Sequence, residues 1–107
     1  MFGIEDVLGI WNTQSINGYA VPGIVEYEGV DYDAEYARWA FYEGRRCTLT
    51  QEVGGVVETY DECDYAVSVE EREVSITFRN EVWDGAIEGS TMTLIDPQEI
   101  VWKLRRQ

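Results

Sequence analysis

Two cysteines, Cys47 and Cys63, are the residues whose spacing most directly implies chemistry. They are the only cysteines in the chain and lie equally far on either side of Gly55, in runs joined by Val53-Gly54-Gly55-Val56. A hairpin closed there by a three-residue loop or a bulge sets them face to face. Directly opposed Cβ atoms in an antiparallel pair are about 4.5–5.5 Å apart, within reach of a disulfide after modest adjustment. A strict two-residue Gly54-Gly55 turn instead puts Glu62 opposite Cys47 and leaves two reduced, half-buried thiols, so register decides. The expectation is a Cys47–Cys63 disulfide, closing a loop of about 15 residues, worth about 3 kcal/mol, and favouring an oxidising compartment. Neither cysteine belongs to a CxxC pair, so zinc and thioredoxin-type chemistry have no support.

Carboxylates are the other abundant reactive groups: the chain has 21 Asp and Glu and no His. Without His there is no imidazole base for a triad and little basis for a transition-metal site. Asp31-x-Asp33-x-Glu35 has the alternation of a calcium loop but lacks its glycine and its distal bidentate Glu, and reads as solvated surface. Asp61 with Glu62, or Glu58 with Asp84, are pairs able to do acid–base work in a cleft, yet nothing in their spacing singles them out. With no nucleophile–base pair, the expectation is a protein that is not an enzyme, with no cofactor and no metal.

The net charge is −13 and the pI near 4.1, with the acids scattered along the chain. That argues against nucleic acid and anionic membrane surfaces, which require clustered Lys and Arg. It suits a solubilising exterior, or attraction of a cationic ligand or basic partner. No apolar run approaches the roughly 18 residues that span a bilayer, so membrane insertion is not expected. The opening Met1-Phe2-Gly3-Ile4-Glu5-Asp6 has neither a basic region nor a long apolar core. That leaves a cytosolic protein or an exported one whose signal has been removed, and the cysteine pair favours the exported reading (periplasmic, extracellular or lipid-anchored) over the cytoplasmic one. Oligomeric state is left open by the sequence.

Hydrophobic residues make up 45% and aromatics 13%, with four Trp and seven Tyr. This is the composition of a folded chain rich in half-buried pleated surface. Asn17-Gly18, Pro22-Gly23, Glu43-Gly44, Gly54-Gly55, Glu88-Gly89-Ser90 and Asp96-Pro97-Gln98 punctuate the chain at intervals typical of all-β domains. Between them residues alternate: Val74, Ile76 and Phe78 on one face, Ser75, Thr77 and Arg79 on the other. Strands are expected near 9–16, 19–27, 35–43, 46–53, 56–69, 73–79, 82–88, 91–95 and 99–105. Residues 31–35 are ambiguous between strand and loop, and residues 1–8 fit a short helical turn capping one end. The whole chain, 1–107, reads as one domain: an all-β, small closed antiparallel up-and-down barrel of about eight to nine strands. Closure requires the first strand to pair with the last, since only closure removes both sheet edges. Gly9, Trp11 and Arg106 form the expected seam, the Arg106 guanidinium lying over the Trp11 indole as a structural cation–π contact.

Gly9-Ile10-Trp11-Asn12-Thr13-Gln14-Ser15-Ile16-Asn17-Gly18 followed by Val21-Pro22, then the Tyr65-Ala66-Val67, Val74-to-Phe78 and Gly89-to-Leu94 strands, resembles short bacterial lipocalin-like domains of the calycin superfamily. The resemblance implies an eight- to ten-stranded antiparallel barrel, often exported or lipid-anchored. The chain departs from a typical lipocalin in its shorter length, its missing C-terminal helix and its lack of the other signature motifs, so no ligand class carries over. The functional expectation is a binder of a small hydrophobic or cationic amphiphile. Thr13, Ser15, Tyr36, Trp39, Phe41, Trp83 and Trp102 are the expected inward-facing ligand positions. The alternative is a protein-interaction module, such as a secreted protease-inhibitor-like barrel with a filled core.

Overall fold

The computed structural model describes residues 2–107; Met1, the first residue of the expected capping segment, lies outside them. A 3₁₀ turn, Ile4–Asp6, precedes eleven strands: β1 (Gly9–Ile16), β2 (Tyr19–Ala20), β3 (Gly23–Tyr27), β4 (Val30–Tyr42), β5 (Arg46–Val53), β6 (Val56–Tyr60), β7 (Cys63–Ser68), β8 (Glu73–Phe78), β9 (Glu81–Glu88), β10 (Thr91–Ile95) and β11 (Val101–Arg106). Every pairing is antiparallel. Eight strands close the barrel in the order β1-β11-β10-β9-β8-β7-β5-β4, and β4 pairs back onto β1; β2, β3 and β6 are additions to this ring. The up-and-down barrel read from the alternation is the fold.

The seam forms as first strand on last, with Trp11 opposite Arg106 and Ile16 opposite Trp102. Gly9 opens β1 at φ +116°, a conformation that L side chains rarely adopt, which accounts for a glycine at the head of Gly-x-Trp. The 3₁₀ turn covers this end. Buried Val7 accepts the Trp11 indole N–H at 2.9 Å, and the Arg106 guanidinium lies 4.9 Å from the Trp11 ring centroid. Its N–H groups donate to the Asp6 carbonyl, and to that of Glu5 at 3.3 and 3.4 Å. A cation–π contact of this kind contributes about 0.5–2 kcal/mol.

Three strand boundaries differ from expectation. The run 19–27 breaks at the cis Val21-Pro22 bond, where proline supplies no N–H to a ladder. The ambiguous segment 31–35 belongs to β4, with Asp31 and Asp33 exposed on the face opposite Tyr32 and Ala34. The run 56–69 divides into β6 and β7, and this break settles the cysteine register. Val53 pairs Val56 across a two-residue turn with Gly54 and Gly55 at φ +60° and +80°, the turn that would place Glu62 opposite Cys47. One residue is then gained between β6 and β7, so that Arg46 pairs Asp64. Cys47 and Cys63 come opposite each other, 5.0 Å apart at Cα, and form the disulfide.

The barrel interior is filled. Trp11, Trp39, Phe41, Tyr65, Ile76, Met92, Leu94 and Leu104 are each buried to below 2% exposure. Trp39, Trp83 and Trp102 meet edge to face with centroids 5.0, 5.1 and 6.3 Å apart, and Phe78 lies 5.3 Å from Trp39. Such pairs contribute about 0.5–1.5 kcal/mol each beyond the area they bury. Gly85 faces the same interior, where a Cβ would come within 2.6 Å of Val74 Cγ1 and 2.8 Å of Leu94 Cδ2. The two neighbours occupy the space a side chain would need.

Candidate functional site: an apolar cleft at the barrel mouth

β4 is 13 residues long, at about 3.3 Å per residue enough to run the full 39 Å of the molecule. Only its C-terminal half belongs to the ring, where Phe41 to Arg38 pair Gly9 to Asn12. Its N-terminal half leaves the barrel with β3 on one side and the ends of β5 and β6 on the other, making a four-stranded wing in the order β3-β4-β5-β6. The register sorts the wing's side chains by face. Val25 opposes Tyr32, Ala34 opposes Val53, Val53 opposes Val56 and Gln51 opposes Glu58. Directly opposed residues share a face. The other face carries Ile24 with Asp33, and Glu26 with Asp31.

The first face overhangs the mouth of the barrel. With Ile16 and Trp102 from the ring it encloses an open cleft of about 430 Å³, lined by Ile16, Val25, Tyr27, Tyr32, Ala34, Gln51, Val53, Val56, Glu58 and Trp102. Glu58 is the one ionisable carboxylate in this lining. Tyr60 donates a hydrogen bond to it. Tyr32 and Val56 remain 41% and 56% exposed, which leaves part of the apolar wall in water.

One rim of the cleft is set by a buried carboxylate. Asp96, 3% exposed, accepts hydrogen bonds from the Tyr27 hydroxyl at 2.5 Å, the Trp102 indole N–H at 3.1 Å and the backbone N–H groups of Gln98 and Ile100, both at 2.9 Å. These four donors satisfy the two carboxylate oxygens. They tie the wing, through Tyr27, to the β10–β11 loop and to the floor of the cleft. Sequence reasoning treated Asp96 only as part of a turn; Asp-Pro signals the turn, but nothing local shows that the carboxylate points inward.

Burial raises the pKa of the Tyr27 hydroxyl well above that of a free tyrosine, and the hydrogen bond to Asp96 raises it further. Burial, then the nearby Glu43, also raises Tyr65, whose hydroxyl donates to the Tyr42 carbonyl at 2.7 Å. A raised folded-state value stabilises the neutral phenol. That stability is complete below about pH 10, the value for unfolded tyrosine, and is lost as pH rises above it. Tyrosinate absorbance in an alkaline titration is therefore expected to develop in two stages, the later one coinciding with unfolding. Tyr27→Phe should shift unfolding to higher pH relative to its own neutral-pH stability; an unchanged alkaline midpoint would remove Tyr27 from this role.

The expected ligand positions separate into four groups. Trp39, Trp83 and Trp102 come together as the indole cluster, and only Trp102 reaches the cleft. Phe41 is buried in the interior against Tyr65, with ring centroids 5.2 Å apart. Thr13 is buried, and its hydroxyl has no hydrogen-bond partner among the described residues. Ser15 and Tyr36 face outward, contrary to expectation. A bulge between Thr13 and Ser15 shifts the register, so Ser15 pairs Lys103 on the outer face while Ile16 turns inward opposite Trp102. Tyr36 has the opposite parity to Ala37, Trp39 and Phe41, and its ring carries the Arg38 guanidinium at 4.1 Å. It belongs to an open groove of about 630 Å³ outside the barrel, between β1 and β4, with Asn12, Gln14 and Glu35.

Sequence reasoning missed Val25, Tyr27, Tyr32, Ala34, Val53 and Val56 as wall residues. A bulge between Ala34 and Tyr36 changes the face of β4, so alternation carried back from Ala37 puts Asp31, Asp33 and Glu35 on this wall in place of Tyr32 and Ala34. Glu58 and Asp84 stand on separate walls, Asp84 on the outer face of β9 opposite Ser75. Among the described residues no three His, Cys, Asp or Glu side chains converge as a metal site. Among the described residues no helix is long and apolar enough to cross a membrane. No family model, curated protein or solved structure matches the chain.

Proposed function

We propose that the protein is a non-enzymatic, lipocalin-like binding barrel that takes a small hydrophobic or cationic amphiphile in the mouth cleft. The observation carrying this reading is a preformed apolar cleft, floored by Trp102 and holding a single carboxylate, above a barrel whose interior is already filled. Mostly apolar concavities with a few placed polar groups are where small ligands bind. The filled interior limits a ligand to the mouth. Glu58 and the −13 net charge favour a cationic head over an anionic one. The Cys47–Cys63 disulfide supports export to an oxidising compartment.

Because Trp102 forms the floor, indole fluorescence reads occupancy. Titration with dodecyltrimethylammonium and with neutral N-phenyl-1-naphthylamine should quench or shift the emission, whereas dodecyl sulfate below its micellar concentration should do so more weakly. Tyr32→Ala removes an exposed wall ring and should weaken binding about tenfold, the effect of losing most of one aromatic contact. Absence of any response to both the cationic and the neutral probe defeats the reading.

A further inference from the structure

We infer that the outer edge of β6 is a docking edge, to which an extended, basic segment of another protein adds as a further antiparallel strand. The ring has no free edge, but β6 is an addition to it, paired to β5 and, among the described residues, to no other strand. The two-residue turn at Gly54-Gly55 fixes which groups are unpaired. Val56 closes the turn against Val53, so its N–H faces β5. Antiparallel alternation then directs Glu58 and Tyr60 toward β5, and the N–H and C=O groups of Val57 and Thr59 outward. An edge of this kind is a template for another chain unless it is blunted by proline, lysine, a bulge or a covering segment. β6 reads Val-Val-Glu-Thr-Tyr, without proline or lysine, and Val56 and Val57 are each 56% exposed.

Charge selects the occupant. From Cys47 to Glu71 the chain carries seven Asp and Glu and no Lys or Arg, and Arg79 is stacked 5.0 Å over the Tyr60 ring. A second copy placed on this edge would bring two such hairpins, each from a chain of charge −13, against one another. Like charges directly opposed across strands are destabilising, and like-charged surfaces suppress association. An incoming strand with Lys or Arg opposite Glu58 and an apolar residue opposite Val56 reverses both terms. Main-chain bonds to Val57 and Thr59 supply affinity, and the two opposed side chains supply selection. This edge does not depend on the cleft holding a small ligand.

The test uses a labelled peptide repeating Lys-Thr-Val-Thr, which sets Lys and Val in turn along one face, a second with the same sequence N-methylated at alternate residues, and a third with Glu in place of every Lys. Fluorescence anisotropy at physiological salt should show binding of the first alone. Val57→Pro deletes one outward N–H without touching the β5–β6 ladder and should weaken binding about tenfold, whereas Val57→Ala keeps that N–H and should bind as the parent does. Tryptophan emission and thermal unfolding identify a misfolded variant, and the N-methylated peptide tests backbone pairing on the unmodified protein. Equal binding of the N-methylated peptide, or an unaffected and folded Val57→Pro, would overturn the inference in favour of unspecific charge attraction. Sedimentation showing a dimer that Val57→Pro dissociates would overturn it in favour of a second copy. Loss of the docking edge leaves the amphiphile titration intact, so the two readings fail separately.

Discussion

Replacing Cys47 and Cys63 together by serine is expected to lower the unfolding free energy by about 3 kcal/mol, and reduction of the parent protein should do the same. The loop-entropy argument gives that figure for a loop of this size, the cysteines being 16 residues apart. Its structural weight is greater than the figure suggests, because of where the bond falls in the ring. β5 and β7 share a single backbone pair, Arg46 with Asp64, together with one hydrogen bond from the Tyr65 N–H to the Arg45 carbonyl at 3.1 Å. The neighbouring ring pairs β4–β5 and β7–β8 are matched along most of their lengths. Covalent closure therefore substitutes for a ladder at the weakest joint. Denaturant titration with and without reductant measures the loss. Amide exchange should show protection falling first in β5 and β7, and a uniform loss across the barrel would argue that the bond acts only on the unfolded chain.

Asp96→Ala is expected to cost at least as much, about 3–4 kcal/mol. The substitution leaves the Trp102 indole N–H, the Tyr27 hydroxyl and two backbone N–H groups without their common acceptor. A buried donor that loses its partner forfeits about 1–3 kcal/mol, and water entering from the cleft recovers part of the sum. Asp96→Asn keeps one acceptor oxygen but turns an NH₂ toward donors, so an intermediate loss of about 1–2 kcal/mol is expected. A double-mutant cycle with Tyr27→Phe isolates the link between the wing and the β10–β11 loop. A coupling energy near zero would mean that the loop alone accounts for the effect of Asp96.

How far the sequence foretells this architecture depends on whether the information is local. The β1, β5 and β10 boundaries follow from alternation and turn chemistry, and the pairing of Trp11 with Arg106 from the need to close the sheet. The disulfide follows from the positions of the two cysteines about Gly55, although the register is restored by the residue gained between Tyr60 and Cys63 and not at the turn. Bulges defeated the rest. Up to Thr13 the alternation of β1 gives the correct face; one extra residue then exchanges the roles of Ser15 and Ile16, and no residue type marks the event. Tyr36 is a different failure, since its parity against Trp39 was readable but its aromatic character suggested the interior. The cleft walls were hidden because they belong to a wing, and a strand that leaves a barrel reads like one that stays.

The three clustered indoles, which run from the barrel interior to its mouth, have a consequence for observing the molecule. Trp39, Trp83 and Trp102 come from β4, β9 and β11, strands that are not neighbours in the ring. Their centroids lie within 6.3 Å at inclined angles, close enough for their electronic transitions to mix. The closed barrel thus carries a single coupled chromophore that no pair of adjacent strands could assemble. Its circular dichroism band would report closure itself, apart from the strand content that a partly folded sheet would also display.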